Sequence, residues 1–330
     1  MAAALYEPGL GYYARSDRQF GAFGGSDFIT APELSPLFGA ALARQLAQAL
    51  EAAQAVDVYE FGAGSGALAE QLLQQLPAST RYHVVELSAP LAARQRERLA
   101  AFAPRVQWLQ AWPEAIHGAV VGNELLDAMP VQLLARGAEG WRERGVAVEA
   151  GAFVWAERAT ALRPPLESGF APGAVTEVAP QALAFVRTLA ERLQRGAAFF
   201  IDYGFPEHEY YHPQRSGGTL MCHQGQRADP DPLAAIGQKD ITAHVDFSAI
   251  ALAAQDAGLD VIGYTSQARF LVNCGLLELL QGADARRLAP AQKLLAEHEM
   301  GELFKAIGFA RGLDGFDPIG FRTGDRSHTL

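Results

Sequence analysis

Short apolar runs alternate along the chain with longer segments in which apolar residues recur at helical spacing. The short runs are rich in β-branched and aromatic residues and end at Gly, Pro or charged residues, which predicts buried strands. The predicted strands are 56–61, 81–86, 105–109, 119–122 and 197–202, with a closing pair at 261–265 and 304–309. The predicted helices are 34–53, 67–76, 89–102, 181–194 and 247–257, with further helices between 276 and 300. This alternation predicts an α/β fold with a doubly wound, Rossmann-like parallel sheet.

Two segments depart from the alternation. Residues 131–159 place apolar and polar side chains in turn between glycines, which predicts a small antiparallel insertion. Residues 204–240 are rich in Gly, Pro, His and Tyr and predict a long irregular segment, a kind of segment that is usually functional. We therefore expect an N-terminal arm and helix over 1–50, a ligand-binding core over 51–205, and a cap with the closing elements of the sheet over 206–330.

The first predicted strand ends in a glycine-rich turn with the spacing G-x-G-x-G. The turn contains Gly62, Gly64 and Gly66, with Ser65 in the same bend, and a helix is predicted directly after it. Such a turn needs glycine because its backbone takes positive φ angles and because no Cβ then blocks a ligand from the main chain. The spacing predicts a ligand site at the edge of the sheet.

Acidic side chains near this turn indicate which ligand binds there. Glu60 lies just before the glycines, where a carboxylate would repel a pyrophosphate and attract an ammonium group. Glu86, followed by Leu87, ends the second strand, where a carboxylate can accept two hydrogen bonds from a ribose diol. The dinucleotide spacing is G-x-G-x-x-G, which this chain does not have. The predicted cofactor is therefore S-adenosylmethionine; an ordinary structural turn is the alternative. Trp112 either covers the adenine or packs in the core.

Charge and cysteine content narrow the class of protein. The 330 residues include 27 basic and 37 acidic side chains, and the net charge of −10 argues against a nucleic-acid partner. Cys222 and Cys274 are too few for a disulfide framework and form no metal-ligand cluster, so we expect no metal and a reducing compartment. The sequence has no signal-peptide pattern and no uninterrupted apolar run of about 18 residues. We expect a cytoplasmic protein without membrane insertion, for which a homodimer is one possible assembly.

Seven separated blocks of glycine, aromatic and polar residues follow one another over nearly the whole chain. They are 11–13, 27–35, 60–66, 123–130, 201–204, 218–220 and 240–247. Together they resemble the MidA-like family, which comprises the complex I assembly-factor arginine methyltransferases of mitochondria and their bacterial relatives. Two features depart from the family pattern: the Gly-Tyr-Tyr motif comes as early as residue 11, and Ser26 is inserted into a Gly-Asp junction.

The resemblance implies a class I methyltransferase fold that transfers a methyl group from S-adenosylmethionine to a protein arginine. Symmetric dimethylation is implied by the mitochondrial members. The implied partner is a protein with an acceptor arginine, such as a subunit of respiratory complex I or its bacterial equivalent. Two other functions stay open. A closed apolar cavity would favour a small-molecule N- or O-methyltransferase, and a broad exposed apolar patch would favour a non-catalytic assembly factor that keeps the cofactor site.

An arginine acceptor calls for acids, because the planar guanidinium pairs best with carboxylates. Glu124 and Asp127 follow the fourth strand and are three residues apart, a spacing that brings both to one face of a helical turn. Asn123 adds an amide oxygen that can accept from an N–H. We predict that these three residues are catalytic. The alternative is a helix start with Asn123 as its cap and the acids placed against the helix dipole.

Further polar residues are predicted to line the acceptor pocket or its entrance. They are Tyr13, Asp27, Thr30, Glu33, Asp202, Tyr203 and His244. Each has a simpler alternative: Tyr13 as a packing residue, and Asp27 or Thr30 as a helix cap. His244 can relay a proton, since imidazole titrates near neutrality, or it can be an ordinary hydrogen-bonded surface group.

Overall fold

Helices and strands alternate through the first part of the chain much as their periodicity predicts. The computed structural model describes residues 1–15 and 29–330. The elements are α1 (Ala2–Tyr6), α2 (Ala31–Leu34), α3 (Pro36–Ala53), β1 (Asp57–Phe61), α4 (Ala67–Gln75), β2 (Arg81–Val85), α5 (Ala89–Arg98), β3 (Val106–Leu109) and β4 (Ile116–Asn123). Helix α3 begins where the Ser35 hydroxyl accepts a hydrogen bond from the Leu37 backbone N–H. Its apolar face packs into the core, as the helical spacing predicts.

The antiparallel insertion forms where it is predicted but is larger. Its strands are β5 (Gln132–Gly137), β6 (Gly140–Glu149), β7 (Ala152–Ala159) and β8 (Val175–Val178). They pair in the order β7-β6-β5-β8. The alternation in the sequence predicts the first three strands. It does not predict β8, because that strand has four residues, includes the buried acid Glu177, and pairs with a strand far earlier in the chain.

The next part of the chain crosses the sheet and then covers its edge. Its elements are α6 (Pro180–Arg192), β9 (Leu193–Phe205), α7 (Glu207–Tyr210), β10 (Met221–Gln224), β11 (Arg227–Asp229), β12 (Asp240–Thr242), β13 (Val245–Asp246) and α8 (Phe247–Asp256). The prediction of an irregular segment over 204–240 is wrong in part, because β10, β11 and β12 form a three-stranded sheet. These strands have only three or four residues, and buried apolar and exposed polar positions do not alternate along them, so they give no alternation signal. We call residues 206–244 the cap segment.

The remaining elements close the central sheet. They are β14 (Asp260–Ser266), α9 (Gln267–Asn273), α10 (Leu276–Leu279), α11 (Ala285–Leu295) and β15 (Phe304–Arg311). The sheet runs β14-β15-β9-β4-β1-β2-β3, and β13 pairs with the end of β9. Strand β15 is antiparallel to both of its neighbours, whereas β1 to β4 and β9 pair in parallel. The predicted doubly wound α/β class is confirmed.

Helices cover both faces of this sheet. Along β9, Phe199 and Ile201 pack into a core that includes α3 and α4, while Ala198 and Phe200 face a core built with α6 and α8. Of the helices in the described residues, none is long and apolar enough to cross a membrane. The strand order reverses between β1 and β4, and in such sheets the ligand crevice opens at the carboxyl ends of the strands on either side.

Candidate active site

A cavity of about 1460 Å³ lies at the carboxyl ends of the central strands. Its walls come from the N-terminal arm, the turns after β1, β2 and β4, helix α6 and the cap segment. A pocket for one drug-sized ligand occupies about 300–1,000 Å³. The cavity is therefore large enough for a cofactor together with part of a second molecule.

The glycine turn after β1 has the backbone that its spacing predicts. The φ angles are 68° at Gly62, 52° at Gly64 and 80° at Gly66. A Cβ on Gly62 would lie 2.8 Å from the Cδ1 atom of Leu125, so the leucine side chain would have to move to make room for it. Helix α4 begins directly after Gly66, and the bare main chain of the turn lines the cavity. The turn is thus shaped for close approach of a ligand.

Side chains from two helices hold the outer part of this turn. Ser65 donates its hydroxyl hydrogen to a Glu33 carboxylate oxygen, and Arg98 Nη1 lies 3.0 Å from the same oxygen. Gln95 Nε2 donates to the Gly64 carbonyl at 2.9 Å. Glu33 is predicted to contact the substrate, but its carboxylate is engaged by Ser65 and Arg98 beside the glycine turn. Neither Gln95 nor Arg98 is predicted from the sequence, since helical Gln and Arg usually face solvent.

Glu60 is a buried acid at the floor of the cavity, with an exposed fraction of 2%. Tyr82 donates its hydroxyl hydrogen to Glu60 Oε2 at 2.8 Å. Burial raises the pKa of Glu60 to about 7, although the Tyr82 hydrogen bond opposes the change. A cation placed against this carboxylate would restore its ionised form. The position therefore suits the ammonium group for which it is predicted.

Glu86 lies at the end of β2 with each carboxylate oxygen in one hydrogen bond. Oε1 accepts from the Ser88 backbone N–H at 2.8 Å, and Oε2 accepts from Gln95 Nε2 at 3.0 Å. Burial raises the pKa of Glu86 above its usual value. A carboxylate oxygen can accept more than one hydrogen bond, so both oxygens keep capacity for a diol. Leu87 is 82% exposed and forms part of the cavity wall.

Trp112 lines the same side of the cavity within an aromatic cluster. Its ring centroid lies 4.5 Å from that of Phe61 and 5.0 Å from that of Phe185. Trp112 therefore packs in the core and also presents an apolar surface to the cavity, and its contact with an adenine stays a prediction. Each feature fits one part of S-adenosylmethionine: the glycine turn fits its methionine part, Glu60 the ammonium group, Glu86 the ribose and the aromatic wall the adenine.

The acids after β4 lie on a turn, not on the helical turn that their spacing suggests. Glu124 has a φ of 50°, in the left-handed region, so Asn123 does not cap a helix there. Asp202 Oδ2 accepts hydrogen bonds from the backbone N–H groups of Leu125, Leu126 and Asp127 at 3.0, 2.8 and 3.3 Å. The turn wraps around this one carboxylate, which fixes the direction of the acids that follow β4.

Asp202 itself is not a substrate contact. The sequence predicts one, but the residue is only 1% exposed and is absent from the cavity wall formed by the described residues. Burial, followed by the charge of Asp127, raises the pKa of Asp202 well above its usual value. Asp202 is therefore a positioning residue that holds the acidic turn.

Asn123, Glu124 and Asp127 meet at one corner of the cavity, which we call the acidic corner. Tyr203 donates its hydroxyl hydrogen to Asp127 Oδ2 at 2.5 Å, and Asn123 Nδ2 donates to Glu124 Oε1 at 3.0 Å. Within residues 1–15 and 29–330, the buried atoms Asp127 Oδ1 and Asn123 Oδ1 have no hydrogen-bond donor. The corner thus contains two buried acceptor atoms that lack a donor among the described residues.

Burial controls the charge of the acidic corner. It raises the pKa of Glu124 to about 8, and the neighbouring charge of Asp127 adds to the effect. It raises the pKa of Asp127 to about 6, against the lowering effect of the Tyr203 hydrogen bond. A bound cation would lower the pKa of both Glu124 and Asp127, because the opposite charge favours the carboxylate form.

The other predicted substrate residues are spread around the cavity. Tyr13 donates its hydroxyl hydrogen to Asp240 Oδ1 at 2.8 Å, and both residues line the wall, as do Thr30 and Tyr203. His244 also lines it, and burial, with Arg215 and Lys305 nearby, lowers the pKa of His244 to about 4. Asp27 lies outside the described residues.

Several wall residues carry polar groups that sequence reasoning did not select. They are Tyr6, Arg215, Thr219 and Asp240. Tyr6 donates its hydroxyl hydrogen to the Ala128 carbonyl at 2.8 Å, which ties the N-terminal arm to the turn after β4. Thr219 and Asp240 fall inside blocks that resemble the family, and that was the available signal; Tyr6 and Arg215 fall outside every block.

The fold and the cavity define a class I S-adenosylmethionine-dependent methyltransferase. A family model of S-adenosyl-L-methionine-dependent methyltransferases matches residues 41–265. The chain belongs to this family, the MidA-like methyltransferases, and S-adenosylmethionine is its cofactor. The predictions of the family, the methyltransferase activity and the cofactor are confirmed.

Named relatives and solved structures agree with this assignment. The zebrafish (Danio rerio) mitochondrial protein arginine methyltransferase NDUFAF7 is 28% identical over 92% of this chain and 81% of its own length. The bovine (Bos taurus) protein of the same name is 30% identical over 84% and 69%. A Burkholderia thailandensis crystal structure with bound S-adenosyl-homocysteine is 53% identical, has a TM-score of 0.95, and is matched over 100% of this chain and 90% of that one.

Proposed function

We propose that this methyltransferase acts on an arginine side chain of a protein. The observation that carries the proposal is the acidic corner, where two ionisable carboxylates and an amide oxygen converge and two buried acceptor atoms lack donors among the described residues. A guanidinium has five N–H donors and no acceptor, so it matches this set of groups. The curated relatives named above are protein arginine methyltransferases, which supports the same acceptor.

The carboxyl groups of the cavity wall favour this proposal over a small-molecule acceptor in an apolar pocket. The described wall residues include six of them, namely Glu33, Glu60, Glu86, Glu124, Asp127 and Asp240. A cation that enters favours their ionised form, so such a wall suits a cationic side chain better than an anionic acceptor. The size of the cavity also leaves room for a residue that enters from a polypeptide.

In methyl transfer to an arginine, the residues of the acidic corner hold the acceptor and accept one proton. S-adenosylmethionine supplies an electrophilic methyl carbon on a sulfonium centre. The guanidinium nitrogen forms a bond to that carbon while the carbon–sulfur bond breaks, and the electron pair of that bond stays on sulfur. One N–H proton then leaves the methylated nitrogen for a carboxylate of the acidic corner. Glu124 and Asp127 align the nitrogen and offset the positive charge that develops on it.

Amide substitutions in the acidic corner test the proposal. Glu124→Gln and Asp127→Asn keep the size of each side chain but remove its charge, so kcat should fall by about 100-fold or more. The turns that contact the cofactor are unchanged, and the affinity for S-adenosylhomocysteine should change little. The measurement uses labelled S-adenosylmethionine with lysate of a strain that lacks the protein, followed by mass spectrometry of labelled arginine and calorimetry with S-adenosylhomocysteine.

The exposed residues Glu149 and Asp256 provide matched controls, because Glu149→Gln and Asp256→Asn make the same chemical changes away from the cavity. Both controls should methylate at the unmodified rate. Label on lysine, on a carboxylate or on a small molecule would contradict the arginine acceptor. Normal arginine methylation by Glu124→Gln and Asp127→Asn would contradict the role of the acidic corner. The same spectra distinguish monomethylarginine from the symmetric dimethylarginine that the family resemblance implies.

A further inference from the structure

One cation interrupts the acidic wall of the cavity. Among the described residues that line it, Arg215 is the single Lys or Arg side chain. It is half-buried in the cap segment. When a ligand displaces water from the cavity, a guanidinium that is left without an anionic partner costs free energy. Its placement therefore points to a negatively charged group on whatever fills the cavity.

The guanidinium of Arg215 is oriented but not neutralised. Its carbon lies 3.9 Å from the centroid of the Phe205 ring, and its Nε donates to the Glu209 carbonyl at 2.9 Å. No carboxylate within residues 1–15 and 29–330 forms an ion pair with it, and no acceptor there binds its Nη groups. One edge of the guanidinium is fixed, and the terminal N–H groups are left for a ligand.

The loop around Arg215 is held from the antiparallel insertion. The Ser216 carbonyl accepts from the Val175 backbone N–H at 2.8 Å. Glu177 Oε1 accepts from the backbone N–H groups of Thr219 and Leu220 at 2.8 and 3.0 Å. Gly218, with a φ of 75°, packs so closely on Glu177 that a Cβ there would collide with the carboxylate. A side chain on such a fixed loop gives specificity at low entropic cost.

A short series of contacts joins Arg215 to the acidic corner. The Phe205 ring beneath Arg215 lies 5.2 Å from the ring of His244, and the His244 ring lies 5.2 Å from that of Tyr203. Tyr203 in turn binds Asp127 at 2.5 Å. A polypeptide in extended conformation advances about 3.3 Å per residue. Arg215 is therefore within reach of residues close to an arginine that occupies the acidic corner.

We propose that Arg215 binds a carboxylate of the substrate, so that the substrate class is a polypeptide with Asp or Glu a few residues from the acceptor arginine. The inference rests on the proposed arginine acceptor. The acidic corner binds the acceptor guanidinium, and Arg215 binds the Asp or Glu carboxylate of the same polypeptide. The remaining carboxylates of the wall disfavour an acidic residue at other positions of the substrate. Arginine suits this role because its fork pairs with a carboxylate through two parallel hydrogen bonds.

The test uses short peptides with a central arginine and a single Asp or Asn at successive positions on either side. The protein with Arg215 should favour Asp over Asn at one position by about tenfold in kcat/KM. In Arg215→Gln, the kcat/KM values of the Asp and Asn peptides should become nearly equal. In Arg215→Glu, a peptide with Lys at that position should have a higher kcat/KM than the Asp peptide. Arg287→Gln, an exposed change away from the cavity, should keep the original preference.

The outcomes separate the two proposals. Equal rates on Asp and Asn peptides, or a preference for Asp that survives in Arg215→Gln, would overturn the carboxylate site while the arginine acceptor stands. An equal fall on both peptides in Arg215→Gln would assign the residue a structural role and overturn the site as well. Failure to methylate any of these arginine peptides would contradict the arginine acceptor, and the carboxylate site would fall with it.

Discussion

Single side chains set the charge of the acidic corner, and Tyr203 is the most direct example. Its hydroxyl group donates to Asp127 and lowers the pKa of that acid against the effect of burial. Tyr203→Phe leaves Asp127 Oδ2 without this donor, so the pKa of Asp127 should rise. Because the proposed arginine acceptor needs ionised carboxylates, the acidic limb of the kcat/KM profile should move to higher pH, with a loss at pH 6 about three- to tenfold greater than at pH 8.5.

Tyr211→Phe is the matched control for this measurement. The Tyr211 hydroxyl donates to the Glu177 backbone carbonyl at 3.2 Å, and the residue does not line the cavity among the described residues. Its pH profile should keep the original shape. A Tyr203→Phe profile that is lowered equally at every pH would contradict the role of the hydroxyl in the ionisation of Asp127.

The placement of residues that depends on local sequence was predictable, and placement that depends on distant contacts was not. The glycine turn and the acids Glu60 and Glu86 follow directly from spacing within one strand–turn–helix unit. The part that Asp202 plays is different, because its three N–H donors lie about 75 residues earlier in the chain. Nothing in the local sequence distinguishes such a carboxylate from one that faces a substrate.

At the scale of an element, the turn after β4 depends on Asp202. In Asp202→Asn a neutral amide oxygen, which accepts more weakly than a carboxylate oxygen, replaces the acceptor of the three N–H groups, and the NH2 group faces the Tyr203 backbone N–H that donates to Oδ1 at 3.0 Å. We expect kcat to fall about 100-fold and the free energy of unfolding to fall by about 2–4 kcal/mol. The affinity for S-adenosylhomocysteine should fall less than kcat, because Glu60 and Glu86 are unchanged. Turnover, urea unfolding and calorimetry measure the three quantities.

Asp246→Asn controls for the loss of a buried aspartate. Asp246 caps α8 by accepting from the Ala249 backbone N–H at 3.1 Å, a role that asparagine also fills. This variant should keep its kcat. If Asp202→Asn lost stability but kept full turnover, the geometry of the acidic turn would not depend on this carboxylate.

Four of the strands that the sequence did not predict are short. Strands β8, β10, β11 and β12 are three or four residues long, and apart from Cys222 and Ile241 their side chains are partly exposed or polar. Burial against long-range partners, which a local pattern does not show, decides that they are strands. The long strands of the central sheet bury nearly all their side chains, and their apolar runs are correspondingly clear.

For the whole molecule, the alternation of strands and helices predicts a doubly wound sheet, since right-handed crossovers allow few arrangements. It does not give the strand order, and the predicted closing pair does not show that β15 runs antiparallel between β9 and β14. The cavity does not follow from local sequence either, because the N-terminal arm and the cap segment meet there from distant parts of the chain. The sequence therefore predicts the crevice for the cofactor much better than the walls around the acceptor.

The buried acids should make the free energy of unfolding of the whole chain depend on pH. Burial raises the pKa of Glu60 to about 7 and the pKa of Glu124 to about 8, above the usual value of 4.5. From about pH 6.5 to 8 the unfolded chain has lost these protons while the folded protein still binds part of them. The free energy of unfolding of the cofactor-free protein must therefore fall as the pH rises through this window. Below about pH 6.5, His244 makes the free energy of unfolding rise with pH. Burial lowers the pKa of His244 to about 4, so in this range the unfolded chain binds a proton that the folded protein does not.

Glu124→Gln should flatten this dependence and raise the melting temperature at pH 8 by about 2–4 °C, while kcat falls by about 100-fold or more. Differential scanning calorimetry at several pH values, without S-adenosylmethionine, measures both effects. The exposed change Glu149→Gln should leave the curve unaltered. A melting temperature that rises between pH 6.5 and 8, or a Glu124→Gln curve parallel to the original, would show that Glu124 is ionised in the free protein. The acidic corner would then hold its negative charge before any substrate arrives.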